Sequence, residues 1–216
     1  MVTTTHVDYP PAKWTLGLGW LLANTLSFGL AGAMFHNFPL AFIFPPSISR
    51  MGQFELAPAL GGVVFGAVPS ILIGLLQWLI LRRQFPVSRW WILTVSAGVG
   101  LDHFIADGFP NARDLSLAVL ASSAGVGVLQ WLLLRQQANS FTGWILATVF
   151  GWCIGWVIGI SLLNSLGLLN IPWRPGLDFQ QHGLLGIVLG AIYSLPTGVV
   201  MVGLLQGKRL GETQRI

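Results

Sequence analysis

The sequence predicts an all-α fold, a bundle of six membrane-spanning helices, on three observations. Charged residues make up 8% of the 216, 11 basic and 7 acidic, and mean hydropathy is +0.72. A soluble domain carries about 25% charged residues and places them over most of its surface. Six stretches approach the roughly 20 apolar residues that a helix needs to cross a bilayer. Finally, one apolar unit ending in arginine occurs twice at a fixed offset. The composition excludes disordered, collagen-like and disulfide-rich classes, and Cys153 has no second cysteine to pair with.

The spans fall at 14–36, 56–81, 90–105, 115–134, 144–168 and 183–205, in a single integral membrane domain over 1–216. The first ends near Ala31-Gly32-Ala33, a small-residue sequence like a cleavage site. Its apolar run is too long for a signal peptide, and its opening recurs later in the chain. Pro69 and Pro196 lie inside spans two and six. In lipid such prolines kink a helix, because neighbours satisfy the freed carbonyl. The third span is the shortest. The fifth carries Gly151, Gly155 and Gly159 on one face, which lets another helix approach closely, either within the bundle or in a partner protein.

Basic residues set the expected orientation. With the N-terminus in the cytoplasm, Lys13, Arg82, Arg83, Arg89, Arg135, Lys208, Arg209 and Arg215 lie inside. Only Arg50, Arg113 and Arg174 lie outside. Both termini are therefore placed in the cytoplasm, and the formal charge of +4 is a topology signal, not a nucleic-acid footprint. No basic run along the chain is dense enough to mark a polybasic lipid switch.

Residues 70–98 match 123–151 at an offset of 53, with 13 identities over 29 positions. The shared core is Gly74-Leu-Leu-Gln77-Trp78-Leu-Ile-Leu-Arg82 against Gly127-Val-Leu-Gln130-Trp131-Leu-Leu-Leu-Arg135. Each copy turns and re-enters with Trp-x-Leu, at Trp91 and Trp144, so each is a helical hairpin. A third copy is expected in two pieces. Gly203-Leu-Leu-Gln206 ends span six, and Trp14-Thr-Leu16 opens span one. Closing the chain in this way gives three pseudo-repeated hairpins, one split between the termini, with spans one and six adjacent. Trp14, Trp90, Trp91 and Trp144 read as interfacial anchors, and Gln77, Gln130 and Gln206 as amides that bond between helices.

Chemistry is expected on the outer side. His36, His103 and His182 end spans there, and Asp102, His103 and Asp107 form a polar cluster. A carboxylate–histidine pair can orient an imidazole or hold a ligand, and His36 and His103 are the candidate axial ligands for a pigment. No HExxH or CxxC spacing is present, so no metal site is assigned. Trp173 and Arg174, between prolines in the last outer loop, are candidates for docking on a partner. No ionisable residue falls in the middle of a span, where an ion-coupled transporter usually carries one.

The motif Gln77-Trp-Leu-Ile-Leu-Arg82-Arg83 followed by Trp90-Trp91, with its second copy at Gln130–Arg135 and Trp144, resembles a family of bacterial multi-pass membrane proteins. These are built from repeated LQWLxLRR…WW hairpin units and are frequent in photosynthetic lineages. The resemblance covers the two middle hairpins, about half of the chain, and brings no assigned activity or site residues. In the second copy Arg83 becomes Gln136 and Trp90 becomes Gly143. Span count and length also resemble the substrate-binding subunits of vitamin importers. The expected function is a non-enzymatic integral membrane subunit or scaffold of a larger complex, photosynthetic in character, holding lipid, carotenoid or chlorophyll at its rim. Its partners are membrane lipids and other integral membrane proteins, with no nucleic acid, in a bacterial plasma or thylakoid membrane. The alternative is a passive carrier or the substrate-binding subunit of a small-molecule importer.

Overall fold

The computed structural model describes residues 13–37, 56–108, 115–135, 141–168 and 179–213, with side chains over 15–34, 56, 59–105, 119–135, 143–168 and 180–204. These residues form six helices: α1 (Lys13–Asn37), α2 (Leu56–Leu81), α3 (Trp91–Gly108), α4 (Leu115–Leu134), α5 (Phe141–Ser165) and α6 (Phe179–Thr213). Four of them, α1, α2, α5 and α6, are long and apolar enough to cross a membrane; α3 and α4 hold shorter apolar stretches, Trp91–Ile105 and Val119–Leu134. Each helix packs on its two neighbours in chain order, and α6 returns to pack on α1, so contacts run round a closed ring.

Small residues set how closely helices approach. At the α1–α6 contact a Cβ on Gly186 would strike the Phe28 carbonyl, and one on Gly32 the His182 carbonyl. At the α2–α3 contact a Cβ on Gly74 would strike Ile92 O. Backbones this close exchange dispersion contacts that a larger side chain would forbid. The Gly151, Gly155, Gly159 face of α5 lies against Tyr193, Leu189 and Leu185 of α6. It serves packing within the chain.

The connection from α2 to α3 is tightly built. Gln84 N and Phe85 N donate to Leu81 O, and Val87 N donates to Phe85 O across Pro86. Ser88 Oγ accepts from Trp90 N at 3.3 Å and caps the start of α3. Phe85 and Val87 are buried in the core, which pins the turn to the bundle. Just past the end of α5 stands Gly167, whose φ of +66° suits glycine, and Leu168 N donates to Leu163 O to close the last turn.

Hydroxyl groups inside the helices are satisfied locally. Ser70, Thr148, Ser194 and Thr197 each donate to the carbonyl four residues earlier. That local bond removes the penalty of a hydroxyl in an apolar setting.

Candidate functional site

The interior carries two aromatic layers and a polar layer between them. Trp20 of α1, Trp91 of α3 and Trp144 of α5 meet edge to face, with ring centroids 6.3 Å (Trp20–Trp144) and 5.9 Å (Trp91–Trp144) apart. All three are fully buried, together with Leu81, Leu134 and Met201. They close the axis at the end of the bundle that carries the 82–90 turn. Trp91 and Trp144 were expected at the membrane interface; the structure corrects this. They do open their helices, but they face the axis, where Trp91 finds a hydrogen-bond partner. Trp90, its sequence neighbour, is 69% exposed and takes the outward position.

Eight residues beyond Trp20 and Trp144, about 12 Å along a helix, stand Phe28 and Trp152. With Tyr193 of α6 they make the second aromatic layer, at centroid separations of 5.4–6.1 Å.

Between the layers lies an amide network. Gln77 Nε2 donates to Asn24 Oδ1 at 2.7 Å, and Gln77 Oε1 accepts from Trp91 Nε1 at 3.1 Å and from Gln130 Nε2 at 3.4 Å. Asn24 Nδ2 donates to Trp20 O at 2.8 Å. Trp20 Nε1 donates to Thr197 Oγ1 of α6 at 2.9 Å. Gln77 therefore links α1, α2, α3 and α4 through one side chain. Asn24, Gln77, Gln130 and Thr197 are each wholly buried. The network is uneven, because Gln130 Oε1 and Trp144 Nε1 have no hydrogen-bond partner among the described residues.

The amides expected to bond between helices thus meet at Gln77 and Gln130, while the side chain of Gln206 lies outside the described residues. Two members of this layer, Asn24 and Thr197, escape a sequence reading. Asn24 lacks a counterpart in the repeat, and Thr197 does not share the residue type of the two glutamines. The available signal was Trp20-Leu21-Leu22, a second Trp-x-Leu in the first helix.

The expected outer cluster is split between helix faces. Ser122 of α4 donates its hydroxyl to Asp102 Oδ1 at 3.5 Å, so Asp102 faces α4. The His103 ring lies against α2 instead, where a Cβ on Gly66 would come within 2.6 Å of its Cδ2. His182 lies at the α1–α6 contact, its carbonyl against Gly32. The side chains of His36 and Asp107, and Trp173 and Arg174 altogether, lie outside the described residues. Among the described residues no three His, Cys, Asp or Glu side chains gather to hold a metal ion. No protein-family model matches the chain, and neither does a curated protein or a solved structure.

Proposed function

We propose that this chain is a non-enzymatic integral membrane subunit, a scaffold within a larger membrane complex. The observation that carries the reading is the closed end of the axis. Trp20, Trp91 and Trp144 pack there edge to face, two of them bonded by their indole N–H groups to a neighbouring helix. A passive carrier or a substrate-binding subunit, the alternative reading, has to break those contacts to pass a solute. A subunit uses them as a rigid core and presents its outer faces. Helix α5 has the least of its span buried, 33% against 44–50% for α1, α2 and α6, and exposes Phe150, Ile154, Val157 and Ile158. This is the face we assign to a companion protein, and lipid, carotenoid or chlorophyll belongs at the rim.

In this reading the chain spans a bacterial plasma or thylakoid membrane six times, with both termini cytoplasmic, and consists of the hairpins α2–α3, α4–α5 and α6–α1. Equivalent buried positions support the threefold reading. Trp91, Trp144 and Trp20 form one set, Gln77, Gln130 and Thr197 a second, and Leu81, Leu134 and Met201 a third. Ile73, Val126 and Tyr193 form a fourth. The split hairpin is then in register at Trp20 and Thr197, not at Trp14 and Gln206.

The test is purification from native membranes in mild detergent, followed by mass spectrometry and an absorption spectrum. Companion proteins at fixed stoichiometry are expected, with visible bands if pigment is held. A lone, colourless monomer that a small molecule stabilises against heat overturns the reading in favour of the carrier.

A further inference from the structure

Arg82 and Arg83 are adjacent and five residues separate them from Arg89, so they form no dense basic run, but all three lie on the short turn between α2 and α3. The Arg82 guanidinium stacks over the Trp78 ring, 4.5 Å from its centroid. The indole of the same tryptophan donates Nε1–H to Val87 O at 3.2 Å. Trp78 thus holds Arg82 on one limb of the turn and, two residues before Arg89, anchors the other. Phe85 and Val87 fix the middle of the turn in the core. All three arginines are exposed, and among the described residues none has a carboxylate partner.

The surroundings of this turn are amphipathic. Trp90 is 69% exposed beside Arg89, and Leu79 and Leu93, one turn into α2 and α3, are 37% and 46% exposed. Exposed guanidinium groups and exposed apolar side chains therefore share this turn and the helix ends that flank it. Guanidinium groups bind phosphate oxygens in pairs of parallel hydrogen bonds. Tryptophan favours headgroup depth, and the leucines below suit acyl chains. We propose that the 82–90 turn seats the phosphate of an anionic membrane lipid, held by Arg82, Arg83 and Arg89 with Trp90 against its glycerol and upper chains. A soluble phosphate uses the cations but leaves the apolar half of this surface without a role. The second hairpin supplies an internal contrast: it keeps Trp131 and Arg135 but has Gln136 and Gly143 where the first has Arg83 and Trp90.

The full chain, purified in mild detergent, is mixed with phosphatidylglycerol, phosphatidylcholine or inorganic phosphate. Retained lipid is read by native mass spectrometry and stability by thermal unfolding. Phosphatidylglycerol is expected to be retained roughly tenfold more than phosphatidylcholine, and Arg83→Gln with Arg89→Gln to remove most of that preference. Both arginines are exposed, so the double variant keeps the unfolding temperature of the lipid-free protein. Arg135→Gln is expected to leave retention unchanged. Equal retention of the two lipids, or a double variant that binds like the parent, overturns the proposal. So does stabilisation by inorganic phosphate equal to that by phosphatidylglycerol.

Discussion

Gln77 donates its side-chain N–H to Asn24 Oδ1 at 2.7 Å, joining α1 to α2 inside the bundle, while its oxygen receives Trp91 and Gln130. One amide therefore satisfies groups on three other helices. Gln130, its counterpart in the repeat, has its own oxygen unpaired.

Removing the two glutamines should have unequal effects. Gln77→Leu strands Asn24 Oδ1 and Trp91 Nε1–H in a buried setting, for a loss of about 2–3 kcal/mol. Gln130→Leu gives up one long bond and removes an unpaired oxygen, so its effect stays under about 1 kcal/mol. Unfolding in mixed detergent micelles measures both, and equal losses would contradict the assigned network.

The three axial tryptophans offer a matched series. Trp20→Phe, Trp91→Phe and Trp144→Phe leave similar gaps, but only the first two break an indole hydrogen bond. Trp144→Phe is expected to be the mildest, by about 1 kcal/mol. Thermal unfolding of the three variants side by side gives the ranking.

Glycines divide by what surrounds them. Gly186→Ala and Gly74→Ala drive a methyl into the Phe28 and Ile92 carbonyls and should force α1–α6 and α2–α3 apart. Gly125→Ala and Gly203→Ala meet nothing within 4 Å and should gain up to about 1 kcal/mol from helix propensity. A stability screen of the four alanine variants should show opposite signs for the two pairs.

The closure of the ring is open to a covalent test. A Cβ on Gly183 lies 3.5 Å from Ala33 Cβ, within the range for a disulfide. In a Cys153→Ser background, Ala33→Cys with Gly183→Cys should cross-link under mild oxidation and join the first helix to the last. Cleaving the chain between α3 and α4 then leaves one band without reductant and two with it. Two bands in both lanes would mean that α1 and α6 are apart.

Much of the helical layout is legible in the chain itself. The predicted span at 56–81 coincides with α2, and the predicted start and end of α4 coincide with the helix. These boundaries are legible because charge, proline and turn residues interrupt apolar runs whatever the tertiary contacts. Side-chain direction is less so. Trp90 and Trp91 are adjacent and chemically identical, and only the packing of α3 on α2 sends one outward and the other to Gln77. The outer Asp102 and His103 are likewise neighbours that successive helical positions turn towards different helices, so a compact cluster in sequence becomes two separate contacts.

The sequence alone determined an apolar, helical, membrane-type chain and the candidate amides Gln77 and Gln130, because scarcity of charge and repeated spacing act locally along the chain. The repeat also predicted that the first and last helices stand side by side, and α6 does pack on α1. Only the tertiary structure decided that the α5 glycine face is used internally and that Asn24 and Thr197 join the axial layer. Those outcomes depend on which helix stands opposite, and that choice is made by carbonyls, glycines and indoles far apart in sequence.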